Sequence, residues 1–242
     1  MRTQECMTAS PRRWLPAIAL ASVVAVSGSA LAQSAKSEQQ QLVDAAQATL
    51  ADFVRDPDMN WLQRNLPEAK AVLVAPQIVK AGYIFGGSGG RAVLFARNAR
   101  TGKWDGPAFY NVGAATVGFQ AGIAVSETVT LVMTDKALNS LMSPTVKLGG
   151  DATIAAGPVG AGAGSNIAAD FVAFSRSKGA YGGLNLEGSV IAVADDWNAS
   201  YYGKTVTPAD ITIDAKVRNP HAARMASDLE RASMRQRTSS VR

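Results

Sequence analysis

The 242-residue chain has one cysteine, Cys6, and one histidine, His221. Cys6 stands before the N-terminal apolar run, whereas a lipidated cysteine would have to follow it, so the pattern is not that of a lipoprotein. The rest of the chain holds no thiol, which excludes disulfides and thiolate chemistry and leaves stability to the core. His221 follows Pro220 in a polar stretch and reads as a solvated helix-end residue rather than a triad base. No G-x-S-x-G occurs. The P-loop pattern is missing too, because Gly86-Gly87-Ser88-Gly89-Gly90 is followed by Arg91, Ala92 and a strand-like run. Gly157–Gly164, with its glycine–alanine alternation, suits an extended strand better than a dinucleotide-binding turn. Metal sites need Cys or His, or regularly spaced carboxylates, and neither is present. The adjacent pair Asp195 and Asp196 would point to opposite faces of a strand and reads as a turn or helix cap. These absences argue against an enzyme and against any metal or cofactor.

Long apolar runs are also missing. Trp14–Val26 is apolar but interrupted by Pro16. It falls short of the roughly 18–20 residues that span a bilayer. With Arg12 and Arg13 before it and Ala30-Leu31-Ala32 after it, the stretch has the layout of a secretory signal peptide. Cleavage is expected after Ala32, giving an exported, periplasmic chain that begins at Gln33. Removing residues 1–32, which hold Arg2, Arg12, Arg13 and Glu5, lowers the formal charge from +5 to +3. So small an excess does not support nucleic-acid binding. It is compatible with weak attraction to anionic lipid. The C-terminal arginines Arg231, Arg235, Arg237 and Arg242 read as a solvated, frayed tail.

What the chain does have is periodicity. Leu42, Ala46, Leu50, Phe53 and Val54 give an amphipathic helix over 38–56, ended by Pro57. Asp58 then caps a short helix carrying Trp61, Leu62 and Leu66. From Ala71 the period changes to short runs rich in Val, Ile, Phe and Tyr: 71–74, 83–85, 91–96, 128–133, 170–175 and 189–194. Residues 98–103, with Thr101-Gly102, read as a hairpin connection. Thr134 or Asp135 starts a helix that stops before Pro144. Thr207-Pro208-Ala209-Asp210 has capping-box spacing, and Asn219-Pro220 opens a polar helix to about Ser233. No regular helix separates the strands. The expectation is therefore an α+β fold with a mostly antiparallel glycine-rich sheet, sandwich- or barrel-like, with flanking helices. The helices at 38–56 and 134–142 are expected to cover one side of it.

Three of the chain's glycine-rich blocks, 80–97, 149–164 and 177–193, carry a more specific signal. Glycines clustered beside apolar runs suit tight hairpins, bulges and close sheet packing. The ordered set AKAVLVAPQIVKAGYIFGGSGGRAVLFAR (69–97), Trp104, GFQAG with the following Glu127 and Thr128, GGDATIAAGPVGAGA, SKGAYGGLNLEGSVIAV and Tyr201-Tyr202-Gly203 resembles the SYLF domain. The resemblance covers Ala69–Gly203 and divides the chain into a signal peptide (1–32), an N-terminal helical segment (33–66), a SYLF-like domain (67–205) and a C-terminal helical, basic tail (206–242). It implies a non-catalytic, lipid-associated module, with phosphatidylinositol binding in the family and actin regulation among fungal members. In the eukaryotic members phosphoinositide binding goes with a basic amphipathic segment at the front of the domain. The corresponding helix here sets Lys36 and Arg55 against Glu38, Asp44, Asp52 and Asp56. Lipid binding is therefore carried over as a class, without a specific lipid. Actin is not expected as a partner of an exported, bacterial-type chain.

The function expected is a lipid- or membrane-surface-binding module of the cell envelope. The alternative is an envelope structural protein that binds another protein through a sheet edge. The candidate lipid-binding residues sit beside the glycine clusters: Lys80, Tyr83, Arg91, Lys178 and Tyr181. Cationic side chains draw anionic headgroups, and tyrosine suits the headgroup level.

Overall fold

The computed structural model describes residues 27–82, 85–117, 122–160, 167–177, 180–181 and 188–239. The basic and apolar parts of the expected signal peptide, Tyr83, Lys178, residues 118–121 of GFQAG and the 161–164 end of the glycine–alanine alternation lie outside them.

Helix α1 spans Ser27–Arg55. It starts earlier than the apolar period suggests, because residues 27–37 are polar and alanine-rich, a composition that is helix-forming but not amphipathic. The helix runs through the Ala30–Gln33 junction without a break. Its core-facing residues, Val43, Ala46, Leu50 and Phe53, are at most 2 % exposed. A 3-10 turn at Pro57–Met59 leads into α2, Asn60–Asn65. Asp56, not Asp58, is the cap there: its carboxylate accepts from the Asp58 amide at 2.9 Å.

The strands that follow are longer than the apolar runs, because the glycine-rich segments extend them instead of breaking them. They are β1 Ala71–Gly82, β2 Phe85–Arg97, β3 Trp104–Val117 and β4 Gly122–Val132. The 98–103 hairpin turn is built on Asn98, whose Oδ1 accepts from the amides of Arg100 at 3.0 Å and Thr101 at 3.2 Å. Gly102 closes it at a φ of +69°. Next come α3 (Asp135–Leu141), β5 (Thr145–Lys147), β6 (Ile154–Ala156), β7 (Phe171–Ser177), β8 (Ala180–Tyr181) and β9 (Val190–Val193). The Gly157–Gly164 alternation is thus not strand where it is described: β6 ends at Ala156. The chain closes with α4 Asp195–Tyr202, α5 Pro208–Thr212 and α6 Ala223–Ser239. Thr134 caps α3, and Thr207 with Asp210 forms the full capping box. Asp195 and Asp196 occupy the first turn of α4, where the helix dipole favours acids.

One nine-stranded sheet results, ordered β5-β9-β3-β2-β1-β4-β7-β6 with β8 on β7. Its named pairs are antiparallel except β6 with β7. The fold is α+β, as composition and period imply.

Both faces of the sheet are buried. On one face the register aligns Phe109, Val93, Val74, Val129 and Phe174 in a row across five strands. Phe95, Val72, Leu131 and Val172 form the next row. This face packs against α1, α2, α4 and α6. Each such side chain contributes roughly 1.5–3 kcal/mol by leaving water. The opposite face, with Leu73, Leu94, Tyr110 and Phe171, packs against α3 and α5. Helices α1 and α3 therefore cover opposite faces, not one side. Runs such as 71–74 and 92–96 are apolar at every position, so each face needs its own cover. A strand pattern cannot say which helix goes where. Before the C-terminal arginines, Ala222, Met225 and Leu229 are at most 3 % exposed and dock α6 and the turn that leads into it into the first cluster, whereas Arg231 and Arg235 are exposed.

Candidate functional site

A bulge divides the sheet. On β1 the register shifts between Val74 and Gln77 against β2, and between Ala75 and Ile78 against β4. Pro76 sits in this interval; it has no N–H for the ladder, and a bulge is where a strand accommodates it. The neighbouring strand must give way: a Cβ on Gly90 would lie 2.2 Å from the Gln77 carbonyl oxygen. Beyond the bulge, residues 76–82, 85–91, 111–117 and 122–126 continue the four central strands as a wing. The wing contains no acidic residue, and its only charges are Lys80 and Arg91. It carries the most exposed large hydrophobic side chain among the described residues, Ile123 at 73 %, together with Val79 at 39 %.

Between the wing and the middle of α1 lies an open groove of about 740 Å³. Its floor is Gln77, Val79, Gly89, Gly90, Arg91 and Asn111; Glu38, Gln41, Leu42 and Ala45 of α1 form one wall, and Trp197 of α4 closes the end. The Arg91 guanidinium lies over the Trp197 ring, 4.1 Å from its centroid. Trp197 is in turn held edge-on by Phe109 at 5.8 Å. Helix α4 is fixed to β3 by the buried Asn198, whose Oδ1 accepts from the Phe109 amide at 2.9 Å and whose Nδ2 donates to the Phe109 carbonyl at 3.4 Å. The indole is thus set by the core.

The other wall, α1, is tied down along its length. His221 Nε2 lies 3.2 Å from the Asp44 carboxylate, and its Nδ1 meets the Tyr201 hydroxyl at 3.4 Å. His221 is therefore a bridge between α1 and α4, not a solvated helix end, although it does open a helical turn. Burial, and then the Asp44 charge, push the Tyr201 hydroxyl pKa up, so it stays a neutral donor. Gln47 donates to Asp228 of α6 at 2.5 Å. Arg176 joins Glu127 at 2.8 Å and Asp52 at 3.7 Å, with its guanidinium over Phe53.

Of the residues read as lipid contacts, Tyr83 and Lys178 lie outside the described residues. Lys80 pairs with Ser88 and Ala124 and follows Ile78, which belongs to the α3-side core. Arg91 alternates with Val93 and Phe95, on the α1 side. Lys80 and Arg91 therefore face opposite sides of the wing and form no common patch. Tyr181 pairs with Arg176, which pairs with Glu127. It lies four strands from Arg91, about 19 Å at the usual strand spacing. Sequence reasoning missed Trp197, Asn111, Gln77 and Ile123. Only Ile123, an aliphatic residue between Gly122 and Ala124 in the glycine-rich stretch, had a readable signal.

The architecture defines a class: an antiparallel-sheet module with helices on both faces and, among the described residues, no metal-binding cluster. A family model for Ysc84, described as "Las17-binding protein actin regulator", matches residues 113–232. LAS seventeen-binding protein 3 of Saccharomyces cerevisiae is 31 % identical over 202 residues, 78 % of this chain and 42 % of that protein. Protein YSC84 of the same yeast is 28 % identical over 203 residues, 79 % of this chain and 42 % of that one. The human SH3 domain-containing YSC84-like protein 1 is 28 % identical over 172 residues, 67 % and 50 % of the two chains. The chain thus covers half or less of these relatives. No solved structure matches it. The chain belongs to the SYLF (Ysc84) family, a family of regulators and binding domains.

Proposed function

We propose that the protein is a non-catalytic module that binds a membrane surface through the wing. The observation that carries this is Ile123, 73 % exposed, with Val79 on the same face of a sheet extension that has no acid and a cation on either side. Exposed apolar patches rimmed by polar groups mark binding surfaces. Cationic side chains add attraction to anionic lipid. Among the described residues no helix is long and apolar enough to cross a membrane.

The site of action is the cell envelope, after export and removal of residues 1–32. Cleavage after Ala32 would leave α1 starting at Gln33 with Val43, Ala46, Leu50 and Phe53 still in place. N-terminal sequencing of the protein from cells tests this, and an intact Met1 overturns it. For the membrane reading the test is sedimentation with vesicles of phosphatidylcholine alone and with added phosphatidylglycerol. Ile123→Asp should abolish co-sedimentation while leaving the circular dichroism spectrum unchanged. A second reading, a module that binds another protein, is favoured by relatives named for binding Las17. Absence of binding to either vesicle would leave that reading in its place.

A further inference from the structure

Three arginines stack on aromatic rings among the described residues, and they differ in what else they touch. Arg97, over Trp104, donates to Ser233 at 3.1 Å, and Arg176, over Phe53, is held by Glu127 and Asp52. Both join elements of the core. The Arg91 side chain makes no hydrogen bond or ion pair with a described residue, and it is exposed in the groove. Stacking on Trp197 holds the guanidinium plane, and the five donors of that plane then point outward in a fixed fork. Gln77 and Asn111 flank it in the same row of the sheet, Cα partner to Cα partner. On one side Gly89 leaves the backbone bare, with nothing closer than 3.8 Å to the position of a Cβ. On the other, Leu42 and Val79 offer apolar surface.

From this geometry we infer that the Arg91 groove binds a phosphate-type anion, the fork taking its oxygens and the two carboxamides adding hydrogen bonds. The inference rests on the membrane reading only for the source of that anion, which is the headgroup of an acidic phospholipid whose acyl portion lies along Leu42 and Val79. A free phosphate is the other source of the same chemistry. Two oppositely signed features give the site a signature. Arg–oxyanion pairing is planar and bidentate, so lysine cannot replace it fully. Glu38, on the α1 wall, opposes an anion, so its removal should tighten binding.

The test compares wild type, Arg91→Gln, Arg91→Lys and Glu38→Gln on phosphatidylcholine vesicles with and without added phosphatidylglycerol, and on inorganic phosphate by calorimetry. Arg91→Gln should weaken partition onto the anionic vesicles about fivefold, the share of one cation near such a surface. Partition onto neutral vesicles, whose headgroup phosphate is neutralised by its own choline, should change less. Arg91→Lys should fall between, and Glu38→Gln should bind more tightly than wild type. Equal binding by wild type and Arg91→Lys would reduce the site to a point charge and overturn the fork. Unchanged binding of vesicles and phosphate by Arg91→Gln would overturn the site altogether. If that variant keeps vesicle binding while Ile123→Asp loses it, the membrane reading survives and the groove reading falls. If wild type ignores both vesicles yet binds phosphate through Arg91, the groove stands and the membrane reading falls.

Discussion

The same four strands build two regions that differ in almost everything but their hydrogen bonds. Inside the bulge at Pro76, Val72, Val74, Val93, Phe95, Phe109, Val129 and Leu131 are all 0 % exposed. Outside it, the α1 side of those strands carries Val79, Gly87, Gly89, Gly113 and Ile123, with little over them. Ladder pairing resumes beyond the register shift and runs to the end of the wing, Gly82 opposite Gly86 and Gly122. Main-chain pairing therefore does not distinguish the regions; side-chain volume does. A glycine in a strand buries nothing and gives up more chain entropy on folding than other residues. The inner half must supply the stability that holds the outer half in place. Freed from packing, the outer half can present a smooth surface.

The widest separation is expected from truncations. Phe174→Ala removes a ring 1 % exposed that packs on Trp61 at 5.9 Å. It should lower stability by about 3–5 kcal/mol and the thermal midpoint by roughly 10 °C. Ile123→Ala should stay within about 0.5 kcal/mol of wild type. Denaturant midpoints for the two, if equal, would erase the distinction between inner and outer halves.

Glycines sharpen it next. Gly90→Ala would press a methyl against the Gln77 backbone at 2.2 Å, and Gly157→Ala would press one into the Phe174 ring at the same distance. Each should lose about 1–3 kcal/mol, since neither contact can relax without moving backbone or a packed ring. Urea unfolding of the two single variants is the measurement, and wild-type midpoints would contradict these contacts.

Much of this was legible in the chain itself. Thr134, Thr207 with Asp210, and the Asn98–Lys103 turn announce themselves because a cap or turn is decided by residues a few positions apart. The strands, the antiparallel class and the likeness to the SYLF family were equally readable. The faces were not. An apolar run such as 71–75 fits either side of a sheet, so nothing local placed α1 and α3 on opposite faces. Lys80 and Arg91 look alike beside their glycines, yet the Pro76 bulge and the alternation of side chains send them to opposite sides. Trp197 could not be tied to Arg91 from sequence, since the contact spans 106 positions and depends on Asn198 fixing α4 to β3.

A pH series tests whether the inner half also relies on charge. Asp170, 8 % exposed at the start of β7, accepts from the Thr134 hydroxyl at 2.6 Å and from the Thr153 amide and hydroxyl at 3.0 Å each. The Thr134 bond first, then the Thr153 amide, hold its pKa at about 2. A depressed carboxylate stabilises fully above the ordinary aspartate value of about 4, and that contribution disappears as pH falls through about 2. Asp170→Asn should therefore lose about 1–2 kcal/mol at neutral pH. Its deficit against wild type should hold steady from pH 7 to about 5 and close between about 4 and 2. A deficit that persisted at pH 2 would mean that shape, not charge, is what the aspartate supplies.

The smallest effect is the most discriminating. A Cβ on Gly87 would meet only the Ala114 carbonyl oxygen at 3.5 Å, and one on Gly113 only that of Ser88 at 3.7 Å, both ordinary contacts. Neither glycine has a positive φ. The fold therefore does not require them, and alanine, with less freedom to lose, should leave stability level or raise it by about 0.4–1 kcal/mol per site. If the bare backbone there serves the membrane surface, the double variant Gly87→Ala/Gly113→Ala should be as stable as wild type or more so, and yet bind vesicles less well. Loss of stability would return these glycines to the scaffold. A gain in stability with vesicle binding unchanged would move the binding surface off this stretch of the wing and leave Ile123 and Arg91 to account for it.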